Sequence, residues 1–514
     1  MRYVYGLSAA ILIGGAAATL TVGPVGAQTA QNDPGTIAAA PRGAPMSFAD
    51  LAQRLQPAVV NISTKQVVQV NRSRQVPPGF EDFFRQFGVP VPDGGGDAPV
   101  TQRGGSLGSG FIISADGYVV TNNHVVSPAR TGATVEQITV TLADRREFEA
   151  ELVGRDTQSD LALLKIKGSD LPFVRFGDSK QVRVGDWVVA IGNPFGLGGT
   201  VTAGIVSALH RNIGAGTYDR YIQTDASINM GNSGGPMFDT AGNVIGINTA
   251  LISPTGGNVG IGFAIPAEQA FPIIDSLRKG QRPQRGYIGV SLQTLDEDIA
   301  ASLGIPKNQG ELIRGVTAGG PAARAGIQQG DVVVSVGGRP VTPDESLAYL
   351  VSRQPIGSRV PVEIVRDGRR QTVNVAISAR PSDEEMARLN GIEDDTPVTE
   401  PAESQQSTSQ RSARESLGVT VQTLTPEIAR SLRLTDTNVR GVVIASVNPS
   451  SDAAAKGIQA GDIILSINQR ATRTPEEAAA AVAAARSAGR RSVLLLIRRG
   501  NTPPAYYGIA LAGR

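Results

Sequence analysis

Ser233 lies in a glycine-rich hexapeptide, GNSGGP at positions 231–236, whose residue types suit a nucleophile. A nucleophilic serine needs an exposed hydroxyl, and the oxyanion formed by its attack needs backbone N–H donors nearby. Glycines on both sides of the serine permit a tight turn and a close approach of substrate backbone. The hexapeptide therefore predicts a catalytic serine, with an ordinary glycine-rich turn as the alternative.

Chain order decides which class of hydrolase this serine fits. The segment also matches G-x-S-x-G, the nucleophile elbow of α/β-hydrolases, in which the catalytic histidine follows the serine. The chain has two histidines, His124 and His210, and both precede Ser233. This leaves the order His, Asp, Ser, which chymotrypsin uses. We predict that His124, directly after an apolar strand at 118–120, is the general base, and that His210 is an exposed loop residue.

A buried carboxylate must hold the imidazole of such a base in the correct tautomer. Asp160 precedes the apolar run LALL at 161–164, and the start of a strand is a place from which a carboxylate can point inward. Asp156 and Asp178 are nearby alternatives, and most aspartates are solvated loop residues. Asp160 is the residue that we expect beside His124.

Short strands separated by turns must position these residues. Asp116-Gly117 stands between two apolar runs and predicts a hairpin. An amphipathic helix over 267–279 closes the unit, although Pro272 inside it is unfavourable. Regular strand spacing predicts an all-β sandwich or barrel. The candidate strands are 138–142, 147–153, 161–166, 188–192, 201–208, 220–224, 244–249 and 261–265.

The segment before this unit is less regular. A helix starting at Ser47 should end before Pro57, and a first strand follows at 59–64. Residues 65–108 show no clear regular element, which is typical of a functional loop. A patch of four phenylalanines at helical spacing favours function over a plain linker. Its members are Phe80, Phe83, Phe84 and Phe87.

Composition narrows the classes of function. The 514 residues are too many for one compact domain, and 61 glycines and 32 prolines with 4% aromatics favour short strands and turns. A net charge of +2 from 48 basic and 46 acidic residues gives no indication of a nucleic-acid partner. The absence of cysteine excludes disulfides and thiolate chemistry, and two distant histidines argue against a zinc hydrolase. We expect no metal and no cofactor.

The N-terminus has the features of a secretory signal. Arg2 supplies the positive charge, residues 7–22 are apolar and small, and VGA at 25–27 offers small residues for cleavage. The alternative is a retained membrane anchor, for which the run is short and rich in alanine and glycine. The N-terminus therefore predicts a protein that is exported through a cleavable signal peptide.

The C-terminal part contains an internal repeat. One copy reads GYIGV at 286–290, GGPAARAGI at 319–327 and GDVV at 330–333. The other reads SLGV at 416–419, AAAKGI at 453–458 and GDII at 461–464. Ordered matches of this kind predict two copies of one domain. The acidic, aromatic-free segment 382–414 between them is typical of a flexible linker, so we expect the second copy to be loosely tethered.

At this point the chain resembles the HtrA (Deg) family of serine proteases. Its TNNHVV at 121–126, SDLA at 159–162 and GNSGGP at 231–236 are similar to the three triad motifs of that family, and NVGIGFAIP at 258–266 to the end of its protease domain. The resemblance implies a mainly β fold: a chymotrypsin-like double β-barrel protease domain followed by two PDZ domains. It also implies a homotrimeric building block.

The resemblance assigns further residues to roles. It implies the catalytic residues His124, Asp160 and Ser233, and oxyanion donors in the backbone N–H groups of Gly231, Asn232 and Ser233. Ile228 and Leu251 resemble the walls of a specificity pocket for small or medium aliphatic side chains, with ordinary core packing as the alternative. A loop that binds the C-terminal carboxylate of a peptide is implied at Tyr287, Ile288, Gly289 and Val290. SLGV at 416–419 is its counterpart in the second copy, where a purely architectural role is the alternative.

These expectations give a domain layout and a function. The layout is a signal peptide (1–27), a trypsin-like protease domain (47–281), a first PDZ domain (285–381), the linker (382–414) and a second PDZ domain (415–512). The expected activity is ATP-independent endoproteolysis of misfolded or damaged polypeptides. A regulatory stress-signalling protease and a holdase chaperone are the alternatives.

Overall fold

The computed structural model describes residues 45–70, 100–128, 133–193, 199–229, 231–251, 258–366, 368–382, 385–386, 417–436 and 438–511. From Ala49 onward the chain forms one compact unit. The predicted signal peptide, the phenylalanine patch and nearly all of the predicted linker lie outside the described residues. Within the described ranges, no helix combines the length and the apolar character needed to cross a membrane.

A closed β-barrel follows a short first helix, α1 (Ala49–Leu55), which buries Leu51 and Leu55. Its strands follow one another around the barrel in the order β1-β2-β3-β6-β5-β4. Apolar side chains such as Val60, Ile62 and Leu164 fill the interior. The four-residue helix α2 (Asn123–Val126) follows β3 and carries His124. The strands are β1 (Val59–Val70), β2 (Val100–Ile112), β3 (Tyr118–Thr121), β4 (Ala133–Thr141), β5 (Glu147–Asp156) and β6 (Leu161–Ile166).

A second closed barrel has the strand order β10-β11-β12-β9-β8-β7. Helix α3 (Ala267–Arg278) follows it, contains Pro272 and buries Ala270, Ile274 and Leu277. The predicted double β-barrel is thereby confirmed, as is a helix at this place. The strands are β7 (Trp187–Gly192), β8 (Thr200–Arg211), β9 (Tyr221–Thr224), β10 (Pro236–Phe238), β11 (Val244–Leu251) and β12 (Gly262–Pro266).

The expectation that residues 65–108 lack regular structure is wrong at both ends. Strand β1 continues to Val70 and β2 begins at Val100, and the two pair antiparallel from Val59 with Phe111 to Val70 with Val100. The glycines of β2 interrupt the side-chain pattern by which a strand is recognised in a sequence. One of them is needed for the pairing of β2 with β1. A Cβ on Gly105 would lie 2.8 Å from the carbonyl oxygen of Thr64.

The first PDZ domain is built on a sheet of order β14-β15-β16-β18-β19, with β17 paired to β16 and the small ladder β13-β20 beside it. Its helices are α4 (Glu297–Leu303), α5 (Pro321–Arg324) and α6 (Leu347–Ser352). Its strands are β13 (Gly286–Tyr287), β14 (Val290–Gln293), β15 (Glu311–Val316), β16 (Val332–Val336), β17 (Arg339–Pro340), β18 (Arg359–Arg366), β19 (Arg369–Ala376) and β20 (Ser378–Ala379).

The second PDZ domain repeats this sheet as β21-β22-β23-β25-β26, with β24 paired to β23. Its helices are α7 (Pro426–Ser431), α8 (Asp452–Ala455) and α9 (Pro475–Ser487). Its strands are β21 (Val419–Thr423), β22 (Val442–Val447), β23 (Ile463–Ile467), β24 (Arg470–Ala471), β25 (Ser492–Arg498) and β26 (Ala505–Ala510). The predicted pair of PDZ domains is confirmed.

The repeat extends to one ion pair with a buried aspartate. In the first copy Arg366 donates to both carboxylate oxygens of Asp331 and to the carbonyl of Gly326. In the second copy Arg499 makes the same bonds to Asp462 and to the carbonyl of Gly457. The aspartates are those of the predicted GDVV and GDII segments.

The second PDZ domain is docked on the first, so the expectation of a loosely tethered copy is wrong. Apolar side chains of both domains form one buried cluster. The amide of Gln293 donates to the carbonyl of Tyr506, and the backbone N–H of Tyr506 donates back at 2.8 Å. The amino-acid composition predicted a linker, but it could not show that the surfaces of the two PDZ domains fit together. The cluster comprises Leu295, Ile299, Leu312, Val332, Val334, Leu494, Leu496 and Tyr506.

Candidate active site

The imidazole of His124 and the carboxylate of Asp160 lie in direct contact. Nδ1 of His124 is 2.7 Å from Oδ2 of Asp160, and the backbone N–H of His124 donates to Oδ1 at 2.9 Å. A carboxylate at Nδ1 fixes the tautomer that leaves Nε2 available as a base. The side chain of His124 is 48% exposed, so that substrate can reach the ring.

The backbone of Asp160 is held as firmly as its carboxylate. Its φ of 55° lies in the left-handed region, which aspartate tolerates better than most residues. Its carbonyl accepts the N–H of Asn123 at 3.0 Å and the side-chain amide of Asn122 at 2.9 Å. The hydroxyl of Thr249 donates to Oδ2 at 2.8 Å. These bonds set the direction of the carboxylate towards His124.

The two alternative aspartates have other partners. Asp178 accepts the N–H of Lys180 at the start of a short 3₁₀ helix, Ser179–Gln181. Asp156 binds the guanidinium of Arg285. The structure therefore brings Asp160, of the three candidates, to the imidazole.

Ser233 sits on a turn that requires glycine. Gly231 and Gly234 have φ angles of 101° and 84°, where side chains are strained. A Cβ on Gly234 would lie 2.2 Å from the carbonyl oxygen of Ser109 and 2.4 Å from Oγ1 of Thr121. The N–H of Ser109 in turn donates to the carbonyl of Ser233 at 2.8 Å. Residues of the first barrel thus contact the turn that carries Ser233 in the second barrel and hold it in place.

The hydroxyl of Ser233 donates to the carbonyl of Thr249 at 3.5 Å. Among the bonds of the described residues there is none between Ser233 and His124. Thr249, on β11, therefore contacts Ser233 through its carbonyl and Asp160 through its hydroxyl. Sequence reasoning missed Thr249, because a threonine in a strand carries no local signal of such a role.

The three predicted oxyanion donors are not equivalent in this conformation. The N–H of Asn232 donates to the carbonyl of Asn229 at 3.0 Å. No such acceptor, within the described part of the chain, engages the N–H groups of Gly231 and Ser233. Of the three N–H groups, that of Asn232 is thus the one that an acceptor among the described residues engages.

The predicted specificity-pocket residues are only partly described. Ile228 is 1% exposed and belongs to the core cluster of the second barrel. The backbone of Leu251 ends β11, and its side chain lies outside the described residues. Both the pocket and the core-packing interpretation of Ile228 are compatible with this burial.

The predicted carboxylate loop lies at the edge of the first PDZ sheet, where β14 begins. The carbonyls of Ile288 and Gly289 accept the N–H groups of Ala322 at 2.8 Å and Thr317 at 2.9 Å. In a trans peptide the N–H points opposite to the C=O, so the N–H groups of Gly289 and Val290 point away from the donors Ala322 and Thr317. In the second copy Gly418 makes a similar bond to Asn448, whereas Ser416 lies outside the described residues.

The prediction that His210 is an exposed loop residue is wrong. His210 belongs to β8, has a φ of 58° and is half-buried. Burial, followed by the charge of Arg220, lowers the pKa of its imidazole. The side chain of Arg220 is 8% exposed and donates to Glu268 on α3 and to Tyr349 of the first PDZ domain, each at 2.9 Å, so it joins the protease domain to that PDZ domain.

Comparisons with known proteins agree with these domains. Residues 108–247 match the trypsin-like peptidase domain family, and residues 286–377 and 406–498 each match a PDZ domain family. The chain is 42% identical over 493 residues to a probable periplasmic serine endoprotease DegP-like of Brucella melitensis, with 91% of this chain and 89% of the relative covered. A protein of the same description from Rhizobium meliloti is 41% identical over 456 residues, with 84% of this chain and 85% of the relative covered.

A solved structure supports the same grouping. The HtrA-type protease AlgW with decapeptide is 39% identical and superposes with a TM-score of 0.52. The match covers 65% of this chain and 99% of that chain.

Proposed function

The chain belongs to the family of DegP-like, HtrA-type serine endopeptidases, and from this premise we propose that it degrades misfolded or damaged polypeptides in the periplasm without ATP. The observation that carries the proposal is the 2.7 Å contact between His124 Nδ1 and Asp160 Oδ2, beside a glycine turn that presents Ser233. This arrangement supplies a base, a group that orients the base, and a nucleophile.

In the proposed reaction Ser233 attacks the carbonyl carbon of the scissile peptide. His124 accepts the serine proton at Nε2, because Nδ1 is engaged with Asp160. The amine leaves with that proton, and an acyl-enzyme on Ser233 remains. Water, deprotonated by His124, then attacks the ester and releases the second product. The carboxylate of Asp160 stabilises the imidazolium that forms.

The Ser233 hydroxyl must leave the carbonyl of Thr249 before it can donate to His124. A rotation about the Cα–Cβ bond of Ser233 achieves this, and catalytic hydrogen bonds commonly tighten only when substrate is bound. The weak 3.5 Å bond to Thr249 is a small obstacle to that rotation.

We assign the oxyanion to the N–H groups of Gly231 and Ser233. The N–H of Asn232 can contribute only if its bond to Asn229 opens. Donors aimed at the oxyanion in a dry site are commonly the largest single contribution to acyl-transfer catalysis.

Substrate selection has two proposed parts. Ile228 and Leu251 line a pocket that favours small or medium aliphatic side chains. The loop Tyr287–Val290 binds the C-terminus of a polypeptide substrate, which adds a strand beside β14 and places its carboxylate at the N–H groups of the loop. The position of β14 at the edge of the sheet supports this mode of binding.

The proposed setting follows from the sequence and the relatives. The relatives are named periplasmic, and residues 1–27 have the composition of a cleavable signal peptide. A homotrimer, or a multiple of it, is the proposed assembly, as the family resemblance implies.

The test is digestion of casein by the purified full-length protein and by Ser233→Ala. The variant should lose nearly all activity, since removal of a catalytic serine costs on the order of a millionfold in rate. Circular dichroism should show that it is folded. Casein digestion by Ser233→Ala at the wild-type rate would contradict the proposal.

A further inference from the structure

A buried ion pair that the proposed reaction does not use lies at the turn that carries Asp160. Arg285 donates from Nη1 to Oδ1 of Asp156 at 3.0 Å and from Nη2 to Oδ2 at 2.5 Å. The two side chains are only 12% and 10% exposed. Burial alone would raise the pKa of Asp156, but the hydrogen bonds and the charge of Arg285 hold this pKa below its ordinary value. The pair therefore remains charged at neutral pH.

Asp156 also stabilises the turn that carries Asp160 through hydrogen bonds inside that turn. It is the last residue of β5, and β6 begins at Leu161. Its Oδ2 accepts the N–H of Ser159 at 3.1 Å and the hydroxyl of the same residue. Asp160 follows in the left-handed conformation, which a residue other than glycine keeps only where its surroundings determine it. Asp156 is part of those surroundings.

Arg285 is itself fixed by its neighbours. Its carbonyl accepts the N–H of Arg380 at 2.9 Å, and its guanidinium lies 5.0 Å from the centre of the Tyr218 ring. The side chain of Arg380 reaches the side chain of Gln158, inside the turn, at 3.4 Å. The segments that enter and leave the first PDZ domain thus support the turn together.

We propose that Asp156 and Arg285 are positioning residues for catalysis, which fix the turn at 157–160 so that Asp160 meets His124. This inference rests on the proposed roles of Asp160 and His124. Among the bonds of the described residues, neither Asp156 nor Arg285 bonds to His124 or Ser233, so both act through Asp160. The planar guanidinium matches a carboxylate in two parallel bonds, which a lysine cannot reproduce.

The test compares Arg285→Met and Asp156→Asn with the wild-type full-length protein on a short chromogenic peptide. We expect kcat to fall about 10- to 100-fold, the size of effect that a small misplacement of a catalytic group produces. KM should change little, since no substrate contact is lost. Arg285→Lys keeps the charge without the two parallel bonds, so it should recover part of kcat.

Arg366→Met is the matched control. It removes an equally bidentate pair with a buried aspartate, Asp331, which lies within the first PDZ domain and away from the turn. Its kcat should remain that of the wild type. Ser233→Ala in the same assay shows separately whether the proposed nucleophile is correct.

Three results would overturn the positioning role. One is a wild-type kcat in Arg285→Met or Asp156→Asn. Another is an equal loss of kcat in Arg366→Met, which would indicate general damage to the first PDZ domain. The third is a rise in KM with kcat unchanged. Thermal unfolding identifies any variant that fails to fold. If Arg285→Met or Asp156→Asn does not fold, the conservative variant Arg285→Lys decides. A wild-type kcat in Arg285→Lys contradicts the positioning role, and a reduced kcat with unchanged KM supports it.

Discussion

At the scale of single residues, Asp160 bonds to four neighbours through both carboxylate oxygens and its carbonyl. Its two carboxylate oxygens serve His124 and Thr249, and its carbonyl serves Asn122 and Asn123. These hydrogen bonds explain how an aspartate is kept in the left-handed region next to the imidazole. Orientation of the base is therefore a property of the whole turn and not of one contact.

Glu311 shows a different consequence of burial for a carboxyl group. It begins β15, is mostly buried, and accepts one bond, at 3.3 Å, from the N–H of Leu347 at the start of α6. Burial raises the pKa of this carboxyl from its ordinary value of 4.5 to about 7, and the bond from Leu347 offsets this rise only in part.

This pKa predicts how the stability of the first PDZ domain depends on pH. The folded domain binds a proton more tightly than the unfolded chain, so Glu311 stabilises it most below about pH 4.5 and loses that contribution as pH rises to about 7. Glu311→Gln should remove about 2 kcal/mol of this pH dependence. Hydrogen exchange of the β15 amides at pH 5 and pH 8, corrected for intrinsic rates, measures it.

Glu363→Gln is the control for this prediction. Glu363 lies on β18 in the same domain, and its side chain is 46% exposed. Its replacement should leave the pH dependence as in the wild type. The same pH dependence in Glu311→Gln and in the wild type would show that Glu311 ionises normally.

At the scale of elements, the sequence predicted the strands of both barrels better than their lengths. Alternating and continuous apolar runs identify β5, β6 and β11, because their side chains fill the barrel cores. The same signal fails for β2, whose glycines lack side chains to form a pattern and serve a close backbone approach at Gly105. It also fails for α2, which is too short for a helical period.

The residues of the site also differ in whether the sequence could predict them. The glycine-rich hexapeptide around it predicts Ser233. The order of the residues along the chain and the apolar strands next to them predict His124 and Asp160. Thr249 and Arg285 meet these elements only through the fold: Thr249 lies 89 positions from Asp160, and Arg285 lies 129 positions from Asp156. Contacts between residues so distant in sequence leave no local trace, so they could not be predicted from it.

At the scale of the whole molecule, both PDZ domains are tied to their neighbours by specific contacts. The first is joined to the protease barrels by Arg220 and Arg285, and the second is docked on the first. Deleting the first PDZ domain therefore removes contacts to the turn that carries Asp160 as well as the proposed substrate-binding loop. Cleavage of short peptides should suffer too, and not only cleavage of substrates that need a tether.

The docking of the two PDZ domains can be tested at Gly508. A Cβ there would lie 2.5 Å from the backbone carbonyl carbon of Asp298 and 2.6 Å from the nitrogen of Ile299, at the start of α4. Valine is favoured in strands, so Gly508→Val should keep β26 and separate the domains. Amide hydrogen exchange in α4 should then be at least about tenfold faster, because its apolar face is exposed.

Ala510→Val provides the control, since Ala510 is an exposed residue of the same strand. Exchange in α4 should match the wild type in this variant. Unchanged protection of α4 in Gly508→Val would mean that the domains are not docked in solution.

The central claim for the whole enzyme is that Ser233 is a nucleophile activated by His124. The most direct measurement is covalent labelling of the full-length protein with a fluorophosphonate probe, followed by mass spectrometry of its tryptic peptides. We predict one adduct, on the hydroxyl of Ser233, and loss of labelling in a folded His124→Ala variant, because the base is required to take the serine proton. An adduct on a different serine, or labelling of His124→Ala at the wild-type rate, would contradict the claim.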